Sequence, residues 1–422
     1  MKVWQNKINL AGIITNSKTI NMQKKLIATI SKKEYLFNRM KEFTDNGESL
    51  EVYMDNIENA KIKKGQYLWE RYADFLPFDN IGNSISLGEG NTPLIEADRK
   101  LEKFVGLDNL YFKKEMQNPT GSFKDRGSLS CIAMAKAMKE SVTAVISTGN
   151  MGHSIAAYGA RSDIKAIVFV PGYTAEDKIR TMSIYGAQII KVIAPDYSEM
   201  KKQILELADK LKIRTVSGNG PIRVEGYKLT AFEMFEQMQG KVPDYIAVPT
   251  SACGHIRGIF KGYRELKMAG YINRLPKMII VQAKNNSPIV SAVKKGHQQV
   301  IPFSGFHTIA EAITTGNPMG GQEIIHKATQ YGWLAEDVSE EKIIQSQKKL
   351  AESGYFVQPA SATSLQALKK LRAAGKIEAK AKVIMMLTGS GLKDRKSIEN
   401  HQLNINEVKL SDVENFLKQD LK

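Results

Sequence analysis

Thr143-Ala144-Val145-Ile146-Ser147-Thr148-Gly149-Asn150 is the stretch on which the architecture turns. A short apolar, β-branched run stops at two hydroxyls and a glycine, and a helical pattern starts directly after it. The same alternation recurs along the chain. Apolar runs at 143–147, 165–171, 187–194, 245–249, 278–282 and 383–387 alternate with amphipathic helical segments at 125–139, 197–212, 225–238, 254–269 and 340–353. Strands apolar on both faces and separated by helices predict parallel sheets built from βαβ units. Six such units exceed one small sheet, so two α/β domains are expected.

Bulk properties narrow the class. At 422 residues the chain has room for two or three domains of ~100–200 residues each. No run approaches the ~18 apolar residues of a membrane helix, so no membrane partner is expected. Only Cys131 and Cys253 carry thiols, which excludes a disulfide framework or a cysteine-rich zinc site and points to a reducing, cytoplasmic compartment. The net charge of +16 comes from lysines spread end to end, with no arginine-aromatic cluster. Solvated helix faces account for it better than a nucleic-acid partner. The first 33 residues hold seven lysines and no acid, a weak echo of a transit peptide, but without a continuous apolar core or cleavage site. Residues 1–80 read as a polar leader with short helical patterns. Ser411-Asp412-Val413-Glu414 is a capping-box pattern that opens a last helix within 401–422.

A second segment carries the chemistry. In Asn118-Pro119-Thr120-Gly121-Ser122-Phe123-Lys124-Asp125-Arg126-Gly127 a turn leads into a helix with Lys124 at its start. A lysine that acts as a nucleophile must be partly neutral, and burial near a positive helix N-terminus favours that form. An isolated lysine there would simply be an exposed first-turn residue; its company argues otherwise. Ser147, Thr148 and Asn150 close one strand, and a hydroxyl pair beside an amide can bind a carboxylate and an aromatic hydroxyl. Ser251, Ala252, Cys253, Gly254 and His255 occupy a second strand-to-helix junction, where small residues let backbone N–H groups converge on a phosphate. Thr388-Gly389-Ser390-Gly391 follows a third strand.

Further words occur in order: Leu87-Gly88-Glu89-Gly90-Asn91-Thr92-Pro93-Leu94, Pro221-Ile222-Arg223-Val224-Glu225-Gly226-Tyr227-Lys228, Gln358-Pro359-Ala360-Ser361-Ala362 and Leu387 to Asp394. Over roughly residues 80–395 the chain resembles threonine synthases, within the tryptophan-synthase-β-like, fold-type II pyridoxal-phosphate enzymes. The resemblance implies an α/β, two-domain fold with parallel sheets flanked by helices and pyridoxal 5'-phosphate in the cleft between domains. Residues 81–125 and 222–400 would form the larger, cofactor-binding domain and 126–221 the smaller, substrate-side one. Lys124 would hold the cofactor as a Schiff base and move protons. Asn150 would meet the ring hydroxyl, residues 251–255 the cofactor phosphate, and Thr388 the pyridine nitrogen. Ser147 and Thr148 would take the substrate carboxylate, and Arg223 a substrate phosphate. The implied reaction converts O-phospho-L-homoserine and water to L-threonine and phosphate, in a homodimer.

The chain departs from the family pattern at defined places. Residues 43–52 resemble half of a zinc ribbon with its cysteines missing, so a metal-free remnant is expected and no metal. Met151 stands where a hydroxyl usually follows the Ser-Thr-Gly-Asn word. Gly218 lacks another hydroxyl, Ala252 alters the phosphate loop, and Gln358 replaces a glutamate. His255 or Arg257 would then add charge to the cofactor phosphate, or His255 is a neutral helix-start residue. Two alternatives stand beside threonine synthesis: β- or γ-replacement on another amino acid, cysteate-synthase-like or in specialised metabolism, and an inactive scaffold that binds nucleic acid.

Overall fold

The computed structural model describes residues 24–37, 41–78, 81–194, 197–304, 307–403 and 405–420. Most of the lysine-rich start of the leader lies outside them, at 1–23. The chain opens with β1 (Lys24–Ala28), β2 (Glu34–Leu36) and β3 (Leu50–Met54), paired antiparallel in the order β2-β1-β3. The leader was expected to carry short helices; strands dominate its described part instead. Leu50, Val52 and Met54 alternate into the core while Glu51, paired with Arg264, and the exposed Tyr53 lie on the opposite face, a period of two rather than 3.6. A single-turn α1 (Leu68–Arg71) follows.

Next come β4 (Leu94–Glu96), α2 (Arg99–Val105), β5 (Asn109–Lys113) and α3 (Lys124–Ala137). The central stretch is β6 (Val142–Ile146), α4 (Asn150–Ser162), β7 (Lys165–Pro171), α5 (Glu176–Ser183), β8 (Gln188–Val192) and α6 (Tyr197–Lys210). It continues through α7 (Pro221–Gln237), β9 (Tyr245–Pro249), α8 (Gly254–Met268), β10 (Lys277–Ala283), α9 (Pro288–Lys294) and α10 (Gly321–Tyr331). Last are β11 (Leu334–Val338), α11 (Glu340–Glu352), α12 (Pro359–Ala373), β12 (Lys382–Met386) and α13 (Val413–Asp420).

Two α/β sheets result, as the alternation requires. One has the order β11-β10-β9-β12-β5-β4, parallel except at the antiparallel β4 edge; the other is the parallel trio β6-β7-β8. The α/β, fold-type II expectation holds. One helix begins earlier than its periodicity indicated: α7 starts at Pro221, not near Glu225. Proline at the first helical position lacks only an N–H that would be unpaired anyway, so the Pro-Ile-Arg-Val word becomes the first turn.

A buried ion network anchors α3. Arg126, 1% exposed, donates from Nε and Nη2 to Glu115 at 2.7 and 2.6 Å, and from Nη1 to Glu233 at 3.0 Å. Lys113 on β5 also pairs with Glu233 and donates to the Thr92 carbonyl at 2.6 Å. Burial of these charges is costly unless each is paired, and here they are. The network ties β5, α3 and α7 together directly behind the first turn of α3.

Candidate active site

Three loops leave the C-terminal ends of β6, β9 and β12 and converge with the first turn of α3 on one cleft of about 2260 Å³. Strand carboxyl ends are where open α/β sheets bind ligands. Lys124, Ser147, Thr148, Asn150, Ser251, Ala252, Cys253, Gly254, His255 and Thr388 all line it. Positions separated by up to 264 residues thus share one wall, and only tertiary packing achieves that. Arg223 does not line this cleft. It lies beneath, 1% exposed, with Nε donating to the Ser217 carbonyl at 2.8 Å and Nη1 to Ser128 Oγ at 3.4 Å.

The turn before Lys124 is held by Asp125, whose carboxylate accepts from Thr120 N at 2.7 Å, Thr120 Oγ1 at 2.6 Å and Ser154 Oγ at 2.7 Å. Lys124 is the first residue of α3. Burial lowers its amine from 10.5 to about 7, and the Arg223 guanidinium pushes in the same direction. Half of such amines are neutral near pH 7. The Nζ sits 4.4 Å from the Phe123 ring centroid, and the His255 ring stacks on Phe123 at 3.9 Å.

The three loops are each pre-set. Ser147 Oγ accepts from Gly149 N at 3.3 Å and Gly152 N at 3.0 Å, which turns its hydroxyl hydrogen away from α4. Asn150 Nδ2 donates to Gln358 Oε1 at 2.7 Å. Gln358 in turn packs closely on Gly389, where a Cβ would push its amide oxygen aside and away from Asn150. Ser251 Oγ meets Thr315 Oγ1 at 2.7 Å, and Cys253 takes φ 77° to cap α8. Backbone N–H groups at the start of α8 therefore face the cleft beside small side chains, an anion seat. Thr388 Oγ1 lies 2.8 Å from Ser361 Oγ, which also accepts from the N–H of Thr388 and Gly389.

Of the two expectations for charge at the α8 loop, the structure favours the neutral one. Burial lowers His255 to about 3, so it is neutral, yet neither ring nitrogen has a partner among the described residues. Arg257 points elsewhere, donating from Nη1 to Asn219 O and Oδ1 at 2.6 Å each and from Nη2 to the Leu50 carbonyl at 2.8 Å. It also pairs with Glu323 at 2.5 Å. Neither residue brings a positive charge to the loop; backbone dipoles must serve.

Sequence reasoning missed two contributors: Ser361, and Gln358 as the Asn150 partner. Ser361 and Gln358 stood in a recognised word without a role. The donors fit pyridoxal phosphate: a partly neutral amine for its aldehyde, an anion seat for its phosphate, a hydroxyl at Thr388 for its ring nitrogen and the Asn150 amide for its ring hydroxyl.

Residues 85–389 match the family described as pyridoxal-phosphate dependent enzyme. The chain is 39% identical over 346 residues to the threonine synthase of Methanocaldococcus jannaschii, covering 82% of this chain and 85% of that one. It is 38% identical over 353 residues to the threonine synthase of a Bacillus species, covering 82% and 96%. In fold it is similar to a threonine deaminase isoform from Solanum lycopersicum, with a TM-score of 0.64, 18% identity and coverage of 82% and 96%. A maize serine racemase gives a TM-score of 0.61 at 19% identity, covering 86% and 98%. With this match and these relatives added to a cleft that fits the cofactor, the chain belongs to the pyridoxal-phosphate dependent enzymes.

Proposed function

We propose that the protein converts O-phospho-L-homoserine and water to L-threonine and phosphate. The observation that carries this reading is the identity of 34–39% to relatives named threonine synthase, joined to a cleft in which Lys124 is biased toward the neutral amine. When bound, pyridoxal phosphate supplies an electron sink for negative charge at the amino-acid carbons. Residues 251–254 at the start of α8 would hold its phosphate, Thr388 its ring nitrogen and Asn150 its hydroxyl.

The chain's own groups then divide the work. Lys124, near-neutral at pH 7, can take a proton from one substrate carbon and return it to another, because its amine is available in both forms. Ser147 and Thr148, with the N-terminus of α4, would orient the substrate carboxylate. A neutral hydroxyl at Thr388, itself held by Ser361, leaves the ring nitrogen without an acidic partner. The larger unit at 81–125 and 222–400 and the smaller one at 126–221 would enclose the substrate between them.

One arrangement favours the second reading, replacement chemistry on a different amino acid. Met151, Gly218 and Ala252 meet in space: a Cβ at Gly218 would lie 3.4 Å from Ala252 Cβ and 3.7 Å from Met151 Sδ. Three departures scattered in sequence form one apolar patch where hydroxyls would help a phosphate. The test is phosphate release from O-phosphohomoserine by the cofactor-loaded enzyme. Release with formation of threonine supports the first reading. A yellow, loaded protein with no release above background rejects it.

A further inference from the structure

The N-terminal strands are not separate from the cleft. Lys41, Glu42, Phe43 and Asp45 line it, although the sequence assigned that segment no chemistry. The segment is clamped in place. Arg257 of α8 donates to the Leu50 carbonyl and Lys261 to that of Val52, so β3 lies along α8. Asn219 Nδ2 donates to Ser49 Oγ at 3.1 Å, linking β3 to the loop before α7. Phe43 bridges Ser49, and Thr44 N donates to the Glu48 carbonyl at 3.0 Å, closing a tight turn with Glu42 at its base.

That turn delivers the Glu42 carboxylate to the start of α7. Glu42 Oε2 accepts the Ser217 N–H at 2.8 Å. It also rests on the α-carbon of Gly220, the residue capping α7, so closely that any Cβ there would overlap it. A 17-residue helix presents its positive end at this point. Arg223, in the first turn, hydrogen-bonds Ser217 from the other side and meets the Tyr227 hydroxyl, and its charge acts on Glu42. A free backbone N–H, a helix N-terminus and a buried guanidinium make a seat for an anion, and the protein's own carboxylate fills it. Charge from Arg223 and Arg214 favours the ionised form of Glu42, while burial disfavours it more strongly and raises its carboxyl above the usual range.

We propose that Glu42 is an internal occupant of an anion seat formed by Ser217 N–H, the α7 N-terminus and Arg223, and thereby a specificity-determining residue of the cleft. An anionic substrate group binds there only by displacing the Glu42 side chain. This rests on the proposed use of a phosphorylated amino acid. Glu42 then taxes every anion that enters, and only a ligand held also by its amino-acid end overcomes it. The apolar patch of Met151, Gly218 and Ala252 lies beside the same loop. Selection would thus come from the leader and the loop together, not from the cofactor-binding residues.

The probe is inorganic phosphate, titrated calorimetrically into the full-length, cofactor-loaded enzyme so that the cofactor's own phosphate seat is filled. Glu42→Gln removes the charge and keeps the shape; Glu42→Ala empties the seat. Both should bind phosphate about tenfold or more tightly than the unsubstituted protein, the size expected when a like charge leaves a partly buried site. Unchanged or weaker binding in both variants overturns the proposal, since Glu42 would then be a structural plug. Phosphate release from O-phosphohomoserine is measured alongside. Tighter phosphate binding without release by any form upholds the seat and sinks the substrate reading. Release by the unsubstituted enzyme with unchanged phosphate affinity sinks the Glu42 assignment alone.

Discussion

The most informative perturbation is a pH titration of cofactor capture by Lys124. Its amine falls from 10.5 to about 7, a bias of roughly 5 kcal/mol toward the neutral form. The Phe123 ring face works the other way, but an ammonium over an aromatic ring gains only about 0.5–2 kcal/mol, so burial wins. With a value near 7, the neutral fraction rises from about a tenth at pH 6 to about nine-tenths at pH 8 and then levels. An ordinary lysine would have well under a thousandth of its amines neutral at pH 7 and would gain about tenfold per pH unit through pH 9. The assay is stopped-flow absorbance of pyridoxal phosphate capture by cofactor-free protein. Rates are divided by those of a simple lysine derivative with an ordinary amine, corrected to its neutral fraction, so that the cofactor's own titrations cancel. The expected profile breaks near pH 7, and Arg223→Met moves the break upward because a neighbouring positive charge has gone. A tenfold rise per unit continuing to pH 9 would refute the argument that burial tunes this amine.

Other outcomes can be checked more briefly. Lys124→Ala should lose the visible band of lysine-bound cofactor in an absorbance scan; a retained band moves the attachment elsewhere. Arg126→Met should cost about 3–5 kcal/mol in urea unfolding, because Glu115 and Glu233 are left buried and under-compensated. Adding Glu115→Gln and Glu233→Gln to it should recover part of that loss, and an additive further loss would contradict the network reading. Ser361→Ala removes the acceptor for two backbone N–H groups and the partner of Thr388, so cofactor affinity measured by spectral titration should fall about tenfold, at roughly 1–2 kcal/mol.

How far the chain could be read without its fold differs from element to element. The apolar runs at 245–249 and 278–282 became β9 and β10 within a residue or two, because buried parallel strands advertise themselves by continuous apolar composition. The leader was misread as helical because strands of three to five residues offer too few positions to separate period two from period 3.6. Lys124 was singled out by its word together with the other ordered words, since a turn, a helix start and a lysine alone would equally describe an exposed first-turn residue. Ser361 was not, since its role depends on Thr388, 27 residues away. Arg223 was assigned an anion from its word, but that it lies below the cleft against Ser217 and Ser128 only the fold shows.

Periodicity along the sequence determined the α/β class, and the ordered words that resemble the family pointed to pyridoxal phosphate and to Lys124. Tertiary structure alone decided what surrounds the cleft. It gathered Met151, Gly218 and Ala252 into one patch and carried Glu42 from the leader to the start of α7. It also left His255 neutral and sent Arg257 away from the α8 loop. Charge and shape at a binding site are sums over neighbours, and neighbours from distant segments are set by packing, not by spacing along the chain.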